Sequence, residues 1–453
     1  MKTTKFWAVL FAALLTILLV SPTTATAEPQ SKFVKMFPNL KGFTSPTNQD
    51  LADLAQTMLD PNADSENNPG MLSVFTYFGQ FLDHDLTLDN TPSPTRPVNV
   101  STLPRNVRTL SFDLDSVYGD GPEGSPQLYE ADGKHFKVQN PNPNGVVDLP
   151  RNADGSAILV EGRNDENEII SQIHTAFLLL HNKFIDQGMS FEDARRAVLV
   201  RYQSIILKEV LPHFVGQPLV DATRNGSLPR FYKPANPNAP LTPVEFSVAA
   251  YRFGHSMVRR AYELNETTGK IQVFSATQPD LRGGRQLPVG RQIAWGNFVA
   301  ELREPGDTDG QNISRKIDPL ISSSLFVLPI PGAEAQGSNV LAFRNLVRAD
   351  AYGMASGQDV ARAMGEAVIP PSEITKLPAF QSGTPLWFYI LYESSKRANG
   401  VTLGPVGGRI VADVFIRTLQ EDKNSIINNP SLVQNFKLAN LFVDAGLAKF
   451  PTP

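Results

Sequence analysis

Apolar residues dominate from Met71 to Leu82, and polar ones crowd in only at the end, in Phe78-Gly79-Gln80-Phe81-Leu82-Asp83-His84-Asp85. The pattern predicts an apolar helix over 71–83 with a polar last turn. At about 3.6 residues per turn Gln80 and His84 share a face and Asp83 borders it, while Asp85 turns about 100° away. One short segment can therefore serve two sites. Longer helical patterns cover 168–186 and 191–211, the second stopping at Pro212, and a third starts with Pro243 in its first turn and runs to about Arg260. Others cover 357–364, 385–397, 408–422 and 432–447. Between them, 38–68 and 90–163 are rich in Pro, Gly, Asn and Asp and read as loops. Alternating runs are few and no repeat is visible. The expectation is a mainly α protein, one large helical domain with long loops and little β.

Composition narrows the class. With 41% apolar and 19% charged residues the chain can bury a large core, which excludes a disordered protein. Lys2 and Lys5 precede an uncharged apolar run, and Ala25-Thr26-Ala27 offers a small-x-small cleavage site, so 1–27 reads as a secretory signal peptide and 28–453 as the mature domain. Secretion, with no stable membrane association after cleavage, is the expectation. Removing 1–27 takes away two lysines and no acid, so the formal charge of −4 becomes −6. An acidic chain without clustered Lys and Arg is not built for nucleic acid. There is no cysteine, which rules out thiol catalysis, iron–sulfur clusters, Cys-based zinc sites and a disulfide-linked oligomer.

Four segments carry candidate chemistry. Gln80, Asp83 and His84 suggest a general base with hydrogen-bonding company, or else a helix end facing water. In Thr109-Leu-Ser-Phe-Asp-Leu-Asp115, oxygen-bearing side chains recur at every second position: Thr109, Ser111, Asp113 and Asp115. With Asp85 they supply the hard oxygen ligands that calcium requires, although an unaccompanied D-x-D is more often a solvated turn. Arg163 and Glu166 lie three apart in Gly162-Arg-Asn-Asp-Glu-Asn-Glu168, where a cation and a carboxylate can face one cavity or simply cap a helix. Arg252 and His255 stand at i, i+3 on an apolar stretch, with Gly254 leaving room for a flat group to approach the backbone.

Together, and in this order, the four segments resemble the animal-type haem peroxidases of the peroxidase-cyclooxygenase superfamily, over residues 48–447. The resemblance implies reduction of hydrogen peroxide by haem b via compound I, followed by oxidation of halide, pseudohalide or small phenolic donors. It makes Gln80 and His84 the pair that handles peroxide, Arg163 the cation that stabilises charge as the O–O bond breaks, and His255 the iron ligand. Asn345, in Phe343-Arg-Asn-Leu-Val-Arg348, corresponds to the residue that accepts the other ring N–H of that ligand. Arg348 corresponds to a partner of a haem propionate, and Arg252 is expected to line the haem side. Asp83 and Glu166 match carboxylates that form ester bonds to haem. Where a third, sulfonium link needs Met this chain has Asn167, so at most two links and a less distorted, less oxidising haem are expected. Asp85, Thr109, Ser111, Asp113 and Asp115 fall on the family's calcium positions. Ser111 replaces an aromatic residue and Asp115 a Ser, and the added charge of Asp115 should tighten calcium binding. His174 and His181 are read as core residues or supports, because the chemistry requires neither.

Two other readings stay open. A fatty-acid dioxygenase of the same superfamily takes a radical from a Tyr three residues before the iron ligand. Here that position is Arg252, and Tyr251, one residue further, is expected to point away from the iron. A non-catalytic haem- and calcium-binding adhesion protein is the other reading.

Overall fold

The computed structural model describes residues 33–43, 46–62, 66–88, 106, 108–234, 241–275, 280–307, 310–329, 339–432 and 435–451. The expected signal peptide lies outside them. A first helix, α1 (Asn48–Gln56), forms where composition predicts a loop. Thr47 and Asp50 close a capping box around its start, and Leu51, Leu54 and Ala55 give it a buried stripe too short to outweigh its polar surroundings in a sequence reading. Strand β1 (Asn67–Leu72) then leads without a loop into α2 (Ser73–Leu86), which carries the polar cluster on its last turn.

Asn167 starts α3 (Glu168–Asp186) by accepting hydrogen bonds from the N–H groups of Ile169 and Ile170. Next, α4 (Phe191–Ile205) does not stop at Pro212. It passes through a π turn, Ile206–Val210, into a further helical segment, Leu211–Val215, and ends at Gly216 with φ +83°. The wide π turn restarts the hydrogen-bond ladder, so Pro212 falls in a first turn, where its missing N–H is not needed. A short helix α5 (Gln217–Arg224) follows.

The segment expected to be one helix to Arg260 is broken into three geometries: a π turn (Glu245–Ala249), a 3₁₀ turn (Ala250–Phe253) and one α turn (Gly254–Met257). Ala249, at φ −128° and ψ −74°, marks the first break. Beyond it β2 (Ala261–Glu263) pairs antiparallel with β3 (Lys270–Gln272), and β4 (Ile313–Arg315) pairs with β1. The remaining major helices are α6 (Leu341–Ala351), α7 (Gly357–Met364), α8 (Leu386–Ala398), α9 (Pro405–Glu421) and α10 (Leu438–Asp444). The last is shorter than its sequence pattern because the Asn440 side chain accepts from the Lys437 N–H and fixes its start there.

Aromatic rings lock the helix that bears the polar cluster. Phe81 stacks on Phe177 of α3 at 5.2 Å, and Tyr202 of α4 meets Phe177 edge-on at 5.6 Å. Pairs of this kind add about 0.5–1.5 kcal/mol each beyond area burial. Among the described residues no helix is long and apolar enough to cross a membrane.

Candidate active site

The end of α2, the 3₁₀ turn Gly162–Asp165 and the broken segment Glu245–Met257 enclose one cavity of about 720 Å³. Gln80, Asp83, His84, Arg163, Glu166, Arg252 and His255 all line it, with apolar wall from Phe253, Met257 and Leu325 among others. These seven come from three stretches far apart in sequence. Residues 281–284 hold the middle one by lying along 165–168: Glu168 N–H donates to Leu281, Gly283 N–H to Glu166 and Gly284 N–H to Asp165. The approach is so close that a Cβ on Gly283 would sit 1.8 Å from the Asp165 carbonyl oxygen.

On the α2 side the polar atoms are densely paired. His84 is buried, with its Nδ1 2.9 Å from Asn164 Oδ1 and its Nε2 3.5 Å from Glu166 Oε1. Asn164 in turn places Nδ2 3.0 Å from Nδ1 of His174, a ring that burial pushes down to about 3 and so keeps neutral. Gln80 donates to Glu166 Oε1 and accepts from Asn167 Nδ2 at 3.3 Å. Desolvation raises the Glu166 carboxyl, but contact with His84, then Arg163 and Gln80, outweighs it and holds the group below its usual range. Asp83 accepts from the Thr87 hydroxyl at 2.9 Å and lies 3.8 Å from Arg163 Nη1.

Arg163 is set by a carboxylate that sequence reading passed over. Glu161, 2% exposed, accepts from the N–H and Nε of Arg163 at 3.0 and 2.9 Å and from its Nη2 at 3.0 Å. The same Glu161 Oε2 accepts from Arg108 Nη2 at 2.9 Å. Burial works against ionisation, but the hydrogen bonds and charge of Arg163, with help from Arg108, win and pull the group down to about 2. Arg163 also donates to the carbonyls of His84 and Thr87, which ties the guanidinium to the backbone at the end of α2.

On the other side Asn345 of α6 stands behind His255, but not in the expected sense. Its Oδ1 accepts from Arg252 Nη1 at 2.9 Å, leaving Nδ2 to face His255 Nδ1 at 2.8 Å. A guanidinium can only donate, so it claims the amide oxygen and the ring is left to accept. Arg348 lies one turn beyond Asn345 and is not part of the cavity wall. Tyr251 also lines the cavity, and its hydroxyl donates to Gly79 O at 3.1 Å.

Asp85, on the other face of α2, is fully buried and gathers Asp113 and Asp115 into one cluster. It accepts from the Ser116 hydroxyl at 2.7 Å and the Tyr202 hydroxyl at 2.9 Å. Leu114 adopts φ +55°, a strained value for a leucine, between the two loop carboxylates. Burial first, then mutual repulsion, lifts Asp85 and takes Asp115 to about 7; burial also raises Asp113. Three acids so placed call for a cation. Thr109 donates to Asp113, and Ser111 lies in the same loop. Arg108 Nη1 meets Asp115 at 3.2 Å, so the charge that Asp115 adds is partly balanced within the protein.

The cavity suits a flat iron-bearing group. His255 is pushed down to about 3 by burial and by the Arg252 charge, hence neutral as an iron ligand must be, and a Cβ on Gly254 beside it would meet nothing within 4 Å. A mainly helical fold around such a cavity is the haem peroxidase fold. In sequence, a profile of the animal haem peroxidases matches residues 101–326, and the chain belongs to that family. Chorion peroxidase of Drosophila melanogaster is 26% identical over 77% of this chain and 45% of its own length. This chain thus spans under half of that relative. Peroxinectin A of Dictyostelium discoideum is 24% identical over 85% of this chain and 82% of its own. Among solved structures, peroxidase A from Dictyostelium discoideum matches with a TM-score of 0.62 at 19% identity, covering 93% of this chain and 94% of that one. A fatty acid alpha-dioxygenase from Oryza sativa matches at 0.57 and 15%, covering 91% of this chain and 80% of that one. These two likenesses speak for the fold and do not choose between activities.

Proposed function

We propose that the protein is a secreted haem peroxidase that reduces hydrogen peroxide and oxidises small anionic or phenolic donors. The observation that carries this reading is the cavity shared by His84, Arg163 and His255. Bound haem supplies the iron at which the peroxide bond is cleaved and the oxidising equivalents that donors consume. His84 takes a proton from peroxide at Nε2 and returns it to the departing oxygen, a role suited to imidazole near neutral pH. Arg163 stays charged and, held by Glu161, stabilises the negative charge that develops without having to reorganise. Gln80 and Asn167 fix the Glu166 carboxylate at the cavity edge, where it and Asp83 are the candidates for ester links to haem. The cluster of Asp85, Asp113 and Asp115 is the candidate calcium site, joined by Thr109 and Ser111.

Incubation of the haem-loaded chain with peroxide and bromide, iodide, thiocyanate or a phenol should consume peroxide; no turnover with any donor would end the proposal. Oxygen uptake with linoleate is the test of the dioxygenase alternative. That alternative is weakened by Arg252 in the radical position and by a Tyr251 hydroxyl already bound to Gly79. Acidic organic solvent should fail to extract haem from peroxide-treated protein; ready extraction would mean that Asp83 and Glu166 are unlinked.

A further inference from the structure

We propose that Asn164, braced by His174, is a positioning residue that holds His84 with its proton on Nδ1 and its Nε2 lone pair turned to the cavity. The inference rests on the reading of His84 as the group that takes the peroxide proton. Asn164 is fully buried between two imidazoles, 2.9 Å from one and 3.0 Å from the other. One amide offers one oxygen and one nitrogen, so the two rings must be complementary: one donates from Nδ1 and the other accepts there. His174 is the acceptor. It is buried and neutral, edge-on to Phe81 at 6.3 Å, and takes the Asn164 N–H at Nδ1. The amide oxygen is then turned to His84, whose Nδ1 must carry the proton.

The reverse orientation would put the proton on His84 Nε2 and remove the lone pair from the cavity. Glu166 Oε1, 3.5 Å from Nε2, already accepts from Gln80, whose own amide is fixed by Asn167, and so does not depend on a proton from His84. The orientation of the Asn164 amide, oxygen toward His84 and nitrogen toward His174, therefore sets the tautomer of His84. A wrong tautomer of a general base is costly even where the geometry is intact.

The deciding measurement is made on the unsubstituted protein: ¹⁵N-histidine spectra of the full haem-loaded chain in its diamagnetic ferrous carbon monoxide complex, with the signals assigned by loss of one set in His84→Gln and in His174→Gln. His84 is expected as the Nδ1–H tautomer and His174 as the Nε2–H tautomer; the opposite pair of tautomers overturns the proposal. In kinetics, Asn164→Leu is expected to lower kcat/KM for peroxide by roughly 10- to 100-fold with the donor KM unchanged. His174→Leu should reproduce that loss and His174→Gln should largely restore the rate, because a glutamine oxygen can accept the Asn164 N–H. An unchanged peroxide step in Asn164→Leu, or equal effects of Leu and Gln at position 174, contradicts the assigned role. If His84→Leu itself leaves the peroxide step intact, the base assignment fails as well; if only Asn164→Leu does, the failure belongs to this inference alone.

Discussion

The two histidines that border the cavity are each backed by an asparagine, and the two asparagines face them with opposite ends. Behind His84, Asn164 presents its oxygen; behind His255, Asn345 presents its nitrogen. The difference comes from the third residue in each row. His174 is neutral and accepts, so it takes the amide nitrogen; Arg252 is a cation and donates, so it takes the amide oxygen. What stands two side chains away thus decides which nitrogen of the ring carries the proton. The row behind His84 already suits its proposed task. The row behind His255 does not: for Nε2 to bind iron, its proton must pass to Nδ1 and the amide must offer oxygen, which requires Arg252 to let go.

The strongest way to break the comparison is to remove each ring. His255→Leu is expected to abolish haem binding, seen as loss of the Soret band, whereas His84→Leu should retain haem and lose about 10²- to 10⁴-fold in peroxide turnover. Equal effects of the two on haem content would mean that the sides are not functionally distinct. Next in size is Glu161→Gln, which strips the shared carboxylate from Arg163 and Arg108. Loss of one member of a buried ion pair costs about 3 kcal/mol or more, measurable by urea unfolding at pH 7. The Glu161 carboxyl is held near 2 in the fold, so its contribution is present above the ordinary carboxylate range and fades as pH falls toward 2; the variant should show a flatter acid limb. On the other side, Asn345→Leu is expected to weaken haem affinity by about 10- to 100-fold, and an unaltered affinity would detach the amide from the iron ligand.

The smallest effect concerns the acidic cluster. Its carboxyls sit above their ordinary values in the metal-free fold, Asp115 near 7, so the stability they contribute when protonated is lost as pH rises through that region. A dication should cancel the loss. Calcium is expected to raise Tm by roughly 2–4 °C more at pH 8 than at pH 5, and Asp113→Ala should remove the difference.

Much of this architecture is written locally. Residues 168–186 and 357–364 carry enough apolar periodicity to define α3 and α7 to the residue, and the polar end of α2 stands out against its apolar body. Other features depend on contacts that no local pattern encodes. Glu161 and Arg108 are 53 positions apart, and His84 and Asn164 are 80 apart, so an acid before a glycine and an asparagine after an arginine look like ordinary turn residues. The π turns at Ile206–Val210 and Glu245–Ala249 are equally hidden, since a widening confined to five residues is too short to register in an apolar periodicity. Helix α6 is not marked off locally, although Leu341, Ala342, Leu346 and Ala349 give it a buried face, because Arg344, Asn345, Arg348 and Asp350 interrupt its apolar pattern. The orientation of the Asn345 amide is not legible locally either, because the competing donor, Arg252, lies 93 positions away.

Gly283 has a bearing on how the protein can change over generations. It has no side chain and touches no reacting atom, yet even a methyl group there would collide with the backbone that carries Arg163 and Glu166. In a library selected for turnover, position 283 should tolerate as little variety as the histidines themselves. Divergence toward new donors would then have to proceed through the cavity's apolar wall, leaving this seam untouched.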